Sequence, residues 1–92
     1  MINIVEISKN AEKDLKKLPL NIVDLFLAWV RSIQEVGLQE VRKKSSYHDE
    51  PLKGKWKGYR SVRMNRAYRV FYIVEGSAIK FVSVHRINKH DY

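Results

Sequence analysis

The chain has 92 residues, of which 45% are hydrophobic and 30% are charged, and this predicts a single domain over residues 1–92 with one modest core. The absence of cysteine excludes disulfides and thiolate metal sites, and three scattered histidines give no reason to expect a metal or another cofactor. No apolar run approaches the ~20 residues that span a bilayer, and no secretion signal is visible, so we expect a cytoplasmic protein without a membrane partner. The net charge of +8 favours anionic binding partners.

The N-terminal part predicts one strand followed by a helical hairpin. Residues 2–7 form a β-branched run that is typical of a strand, and Ser8 or Asn10 can cap the helix that follows. Apolar residues then recur at helical spacing in two stretches that Pro19 separates, and Gly37 suits the end of the second. The first stretch comprises Ala11, Leu15 and Leu18, and the second comprises Ile22, Phe26, Trp29, Ile33 and Val36.

The middle of the chain is less regular. Residues 38–44 predict a short helical turn. Residues 45–55 carry Pro51 and Gly54 as breaks, and they predict an ordered functional loop, since long structureless loops are uncommon in small domains.

From Trp56 onward the pattern is that of β-strands. Residues 59–65, 67–74 and 78–85 are rich in β-branched and aromatic side chains, and Gly76 suits a tight turn between the last two strands. The predicted order is β-α-α-β-β-β. This is an α+β fold, in which an antiparallel sheet has the helical hairpin on one face and the other face free for a ligand.

The excess positive charge is concentrated in residues 42–69, where ten basic residues face two acidic ones, while the other 64 residues sum to zero. Clustered Lys and Arg side chains neutralise phosphates, and interleaved aromatic side chains can stack on unpaired bases. By strict strand alternation Arg60 and Arg63 lie on opposite faces, which leaves open whether both serve one site. The predicted RNA-binding residues are Arg42, Lys43, Lys44, Lys53, Lys55, Lys57, Arg60, Arg63 and Arg66.

Four features of the C-terminal half resemble the RelE/ParE superfamily of bacterial toxins: EPLKGKWKGYR, AYRVFY, a strand ending in VSVHR, and a terminal Tyr92. The resemblance is closest to the RelE/YoeB-like messenger-RNA interferases, and it implies a RelE-like fold. It implies that Glu50 is a general base and that Arg69 and Arg60 act on the RNA. Arg86 and Tyr92 keep the family spacing of a functional Arg–Tyr pair, whereas His90 matches the family position of a penultimate His only loosely.

The chemistry of metal-independent RNA cleavage agrees with such a set of residues. A group must accept the 2′-hydroxyl proton, another must stabilise the phosphorane charge, and a third must protonate the 5′-oxygen. His85 stands at a strand end, where a structural and a functional role are equally open. The predicted catalytic residues are Glu50, Arg69, Arg86, His90 and Tyr92.

The predicted function is that of a toxin of a type II toxin–antitoxin pair. It would cleave messenger RNA in the decoding site of the ribosome, and its partners would be ribosomal RNA, messenger RNA and a cognate antitoxin through which the complex binds operator DNA. Two alternatives remain: a ParE-like toxin that inhibits gyrase without nuclease activity, and a basic RNA-binding module without activity.

Overall fold

The computed structural model describes residues 1–86, which form a five-stranded sheet with helices packed on one face. The helices are α1 (Lys9–Lys16), α2 (Leu20–Val36) and α3 (Leu38–Arg42). The strands are β1 (Ile4–Ile7), β2 (Glu50–Pro51), β3 (Arg60–Arg63), β4 (Tyr68–Glu75) and β5 (Ala78–Arg86). Within residues 1–86, no helix combines the length and the apolar character needed to cross a membrane.

Local sequence signals account for the helix ends. The Ser8 side chain accepts a hydrogen bond from the Ala11 N–H at 3.1 Å and so caps α1, while Pro19 begins α2. Gly37 separates α2 from α3 with φ of 86°, a value that L side chains rarely adopt. The predicted hairpin and the short helical turn after it are therefore both present.

The sheet is mixed, which corrects the expectation of a purely antiparallel one. Its order is β1-β5-β4-β3-β2, and β1 pairs with β5 in parallel while the other neighbours are antiparallel. The helices carry the chain from β1 across one face of the sheet, which is the type of connection that a parallel pair requires. The two-residue strand β2 extends the sheet beyond β3 and was not predicted.

The core lies between the helices and the sheet. Phe26 and Trp29 of α2 are fully buried, as predicted from their helical spacing. The ring of Trp29 packs against Tyr72 of β4 with centroids 5.4 Å apart, and Phe26 packs against Phe81 of β5 at 4.8 Å. These rings hold α2 against β4 and β5, so within residues 1–86 the α-helices lie on one face of the sheet and leave the other face uncovered by them.

Candidate functional site on the open face of the sheet

The open face of the sheet brings ionisable side chains from four strands together. In the strand register, Arg63 of β3 lies opposite Arg69 of β4, which lies opposite His85 of β5. Paired residues share one face of a sheet, so these three side chains form a row. Glu50 of β2 lies on the same face, with its Oε1 atom 3.7 Å from Nη1 of Arg69. The site thus combines a carboxylate with two guanidinium groups and an imidazole.

His85 lies on a support of aromatic rings. Its imidazole stacks on Phe71 with centroids 3.9 Å apart and an interplanar angle of 21°, and the edge of Trp56 lies 5.5 Å away. Its Nε2 atom is 2.5 Å from Oγ of Ser83. Burial, together with the positive charge of Lys55, lowers the pKa of His85. The imidazole is therefore neutral at neutral pH and adds no third positive charge to the row.

A bulge in β5 decides which face His85 occupies. Phe71 pairs with Ser83, whereas Tyr72 pairs with Phe81, so Val82 is an extra residue without a partner on β4. A one-residue insertion reverses the alternation of side chains beyond it. Ser83 and His85 consequently point to the open face rather than into the core.

The loop that carries Glu50 is fixed by the neighbouring Asp49, which was not among the predicted residues. The Asp49 side chain is only 2% exposed; it accepts hydrogen bonds from Arg60 Nε and from the Tyr72 hydroxyl, each at 2.5 Å. Before it, His48 adopts a left-handed conformation with φ of 44°. These contacts place Asp49 toward the helix side of the sheet and the next residue, Glu50, on the open face.

The buried Asp49 carboxylate shifts the pKa values of Tyr72 and Arg60. Burial, together with the hydrogen bond to Asp49 and its charge, raises the pKa of Tyr72 far above its ordinary value, so the phenol stays protonated and donates. Although burial lowers the pKa of Arg60, the hydrogen bond to Asp49 and its charge raise it overall. Asp49 therefore lies against one donor that stays neutral and one that stays charged.

The predicted catalytic residues are only partly brought together. Glu50 and Arg69 meet on the open face. Arg86 pairs with Tyr68, and strand alternation assigns it to the helix side at the end of β5. His90 and Tyr92 lie outside the described residues. The structure adds His85 to the group, a residue whose role the sequence left open.

The predicted RNA-binding residues divide between the two faces. Arg63 lies on the open face beside Arg69, whereas Arg60 lies on the helix side and holds Asp49, so the two do not share one site. Arg42, at the end of α3, also faces Asp49. The others are exposed, with Lys43 paired to Glu40 of the same helix. These others are Lys43, Lys44, Lys53, Lys55, Lys57 and Arg66.

Little in the sequence indicated that Asp49 and His85 belong to the site. An Asp directly before Glu50 reads as one more polar loop residue, because its hydrogen-bond partners lie 11 and 23 positions away. His85 follows Ser83 with period two, which shows that they share a face but not which face it is. Chemically, the open face can hold a phosphate against Arg63 and Arg69 with a carboxylate in reach.

Solved structures of bacterial toxins have the same fold as this chain. Among solved structures, the YoeB–YefM complex from Staphylococcus aureus is 25% identical, with a TM-score of 0.68, and the match covers 91% of this chain and 95% of that one. RelBE2 from Mycobacterium tuberculosis is 21% identical, with a TM-score of 0.67 and coverage of 91% and 96%. YafQ from E. coli strain BL21(DE3) is 21% identical, with a TM-score of 0.66 and coverage of 89% and 90%. The last two likenesses show the fold alone.

No curated protein matches the chain. A family model does match, and its description is the ParE toxin of the type II toxin–antitoxin system, parDE. It matches residues 5–91, which is nearly the whole chain and includes every element of the sheet except the first residue of β1. The chain therefore belongs to the ParE toxin family of type II toxin–antitoxin systems, within the RelE/ParE superfamily.

Proposed function

We propose that this toxin is a metal-independent endoribonuclease that cleaves messenger RNA in the decoding site of the ribosome and so inhibits translation. The observation that carries the proposal is the Glu50–Arg69 ion pair on the open face of the sheet, with Arg63 and His85 in the same row. A proton acceptor beside two phosphate-binding groups supplies two of the three functions that cleavage by the 2′-hydroxyl needs.

Each step of the cleavage has a candidate residue. Glu50 accepts the proton of the 2′-hydroxyl, and the 2′-oxygen forms a bond to phosphorus. Arg69 and Arg63 stabilise the negative charge of the phosphorane, because guanidinium groups bind phosphate oxygens in a bidentate manner. The bond from phosphorus to the 5′-oxygen then breaks, which leaves a 2′,3′-cyclic phosphate and a 5′-hydroxyl.

The proton for the leaving 5′-oxygen is assigned to the C-terminal residues. His90 and Tyr92 remain our candidates for this step, on the basis of their sequence positions. Arg86 is a poor candidate for it, because it lies on the helix side at the end of β5 and a guanidinium does not release its proton in proteins. His85 has a different role in this scheme, because its lowered pKa leaves the imidazole without the extra proton that a general acid must donate at neutral pH. Its neutral imidazole, supported by Phe71, instead offers a hydrogen bond to the bound RNA.

The shape of the site supports dependence on the ribosome. The Glu50 side chain is 57% exposed, so we propose that the protein alone holds a flexible RNA chain weakly. Correct orientation of the reacting groups can lower the activation free energy of such reactions by a large amount, and the ribosome would supply that orientation. The exposed basic residues around the site, which include Lys53, Lys57 and Arg66, are proposed to contact ribosomal RNA.

The cellular partners follow from the family and the charge. Two of the solved relatives are toxin–antitoxin complexes, YoeB–YefM and RelBE2. We propose a cognate antitoxin for this chain as well, with the complex acting in the cytoplasm and binding operator DNA through the antitoxin.

The test is to induce the protein and to map the 5′ ends of cellular messages while DNA supercoiling is measured in the same cultures. Endonuclease activity predicts new 5′-hydroxyl ends in translated messages and unchanged supercoiling, and it predicts that Glu50→Gln removes the ends. In vitro, ribosomes should raise the rate of cleavage greatly over that of naked RNA. Intact messages with altered supercoiling would instead establish the gyrase-directed alternative, and equal rates with and without ribosomes would remove the ribosome from the proposal.

A further inference from the structure

A cavity lies on the helix side of the sheet, away from the site proposed for RNA. It has a volume of about 410 Å³ and lies between α3 and the β2–β3 edge. Apolar groups form its walls, and the side chains of Arg42 and Arg60 line it together with Gln39. The apolar lining residues are Ile2, Leu38, Pro51, Tyr59 and Val74. Of the candidate catalytic residues that lie within residues 1–86, namely Glu50, Arg69 and Arg86, none lines this pocket.

The two guanidinium groups of this pocket have more donors than Asp49 can occupy. Each guanidinium carries five N–H groups. Arg60 uses Nε for Oδ1 of Asp49 and one Nη for the Asp49 carbonyl at 3.5 Å, while Arg42 Nε is 4.0 Å from the same Oδ1, beyond hydrogen-bond distance. Tyr72 occupies the other oxygen of that carboxylate. Two positive charges therefore share one negative charge, and the pocket retains a net charge of +1.

We propose that this pocket binds a carboxylate-bearing side chain of an acidic peptide segment, namely a segment of the antitoxin. The inference rests on the antitoxin partner proposed above, but it does not depend on the nuclease activity. Both Arg42 and Arg60 line the cavity, so a carboxylate bound there would lie among guanidinium donors, which form charge-assisted and bidentate hydrogen bonds with carboxylates. The apolar walls suit an aliphatic side chain next to the bound carboxylate, as in the desolvated pockets that anchor protein–protein interfaces.

The geometry favours a peptide over RNA as the occupant. RNA presents a series of phosphates, which requires an open basic surface such as the row of Arg63 and Arg69. The helix-side pocket is instead a single concave site with apolar walls. A basic toxin also has an electrostatic complement in an acidic segment, since this chain carries a net charge of +8. The basic segment of residues 42–69 would thus serve two partners on two faces.

The experiment uses the full-length toxin labelled with ¹⁵N and three probes: N-acetyl-Leu-Glu-amide, N-acetyl-Leu-Gln-amide and uridine 3′-monophosphate. We expect the Glu peptide to shift the Nε–H resonances of Arg42 and Arg60 and the amide of Gln39 saturably. The Gln peptide has nearly the same shape without the charge, and it should bind at least about tenfold more weakly, which corresponds to ~1.4 kcal/mol.

Two variants extend the test without disturbing the buried carboxylate. Gln39→Glu puts a negative charge at an exposed position of the pocket wall, so it should weaken binding of the Glu peptide about tenfold or more. Arg31→Gln, at an exposed position on α2, is the control and should leave binding unchanged. Each variant must first give the amide spectrum of the folded parent protein.

Three outcomes would overturn the proposal. The first is equal binding of the Glu and Gln peptides, or binding of neither. The second is a set of shifts confined to the open face around Arg69 and His85. The third is preferential binding of uridine 3′-monophosphate in the pocket, which would make it a nucleotide site. All three are read from binding alone, so a failure of the nuclease proposal would leave this test intact.

Discussion

Replacing Arg69 with glutamine should separate catalysis from stability. The ion pair with Glu50 spans 3.7 Å, and the two side chains are 24% and 57% exposed. Exposed pairs of this kind contribute about 0–1 kcal/mol to folding, because solvent screens the charges. In the proposed transition state the same guanidinium contacts a developing charge, and loss of one such donor typically reduces the rate by ~10²–10³-fold, or about 2.7–4 kcal/mol.

The assay is single-turnover cleavage of a message on programmed ribosomes, paired with urea unfolding of the same protein sample. Arg69→Gln should lose most of its cleavage rate and less than about 1 kcal/mol of unfolding free energy. Arg31→Gln makes the same chemical change at an exposed position on α2 and should alter neither quantity. Arg69→Lys keeps the charge without the planar fork, so it should fall between the parent and the Gln variant.

An unchanged cleavage rate in Arg69→Gln would place Arg69 outside the reaction and refute the reasoning. A loss of unfolding free energy well above 1 kcal/mol would show that the residue is structural. If Glu50→Gln were fully active and Arg69→Gln inactive, the role of Arg69 as a phosphate contact would stand, but Glu50 could not be the general base.

Three further predictions concern other parts of the molecule. Tyr72→Phe should cost about 1–3 kcal/mol of unfolding free energy in urea, since the buried Asp49 carboxylate loses a donor, whereas Tyr68→Phe, the control, should cost less; equal costs would contradict this. Because the pKa of His85 is lowered on folding, the unfolded chain binds its proton more readily, and stability falls as pH drops below about 6.5. His85→Gln should therefore lose less stability than the parent between about pH 7 and pH 5.5, and identical slopes would refute the assignment. Deletion of residues 90–92 should abolish cleavage while binding to ribosomes, measured by co-sedimentation, persists and weakens steeply with salt; retained cleavage would show that the proton donor lies outside these three residues.

Local patterns in the sequence determined most of the secondary structure. The apolar spacing around Phe26 and Trp29 placed α2 on the core, because the period of a helix is visible within a few turns. The turn at Gly76 and the β-rich runs around it placed the β4–β5 hairpin, since such turns join neighbouring strands. Strand alternation separated Arg60 from Arg63, and the register confirms that they lie on opposite faces.

The parallel pairing of β1 with β5 was decided only by the tertiary structure. Those two strands lie at opposite ends of the chain, and no local period of the sequence records which distant strands become neighbours. The burial of Asp49 has the same origin, because its donors come from Arg60 and Tyr72 on two other strands.

The composition of the site depended on a single inserted residue. Continued without a bulge, the register that starts at Glu75 and Ala78 would place Val84 opposite Arg69 and turn His85 toward the helices. The extra residue, Val82, reverses that alternation, so His85 joins Arg69 on the open face. A strand sequence states which residues share a face, but the packing of the whole sheet against α2 determines which face is covered and which is left for a ligand.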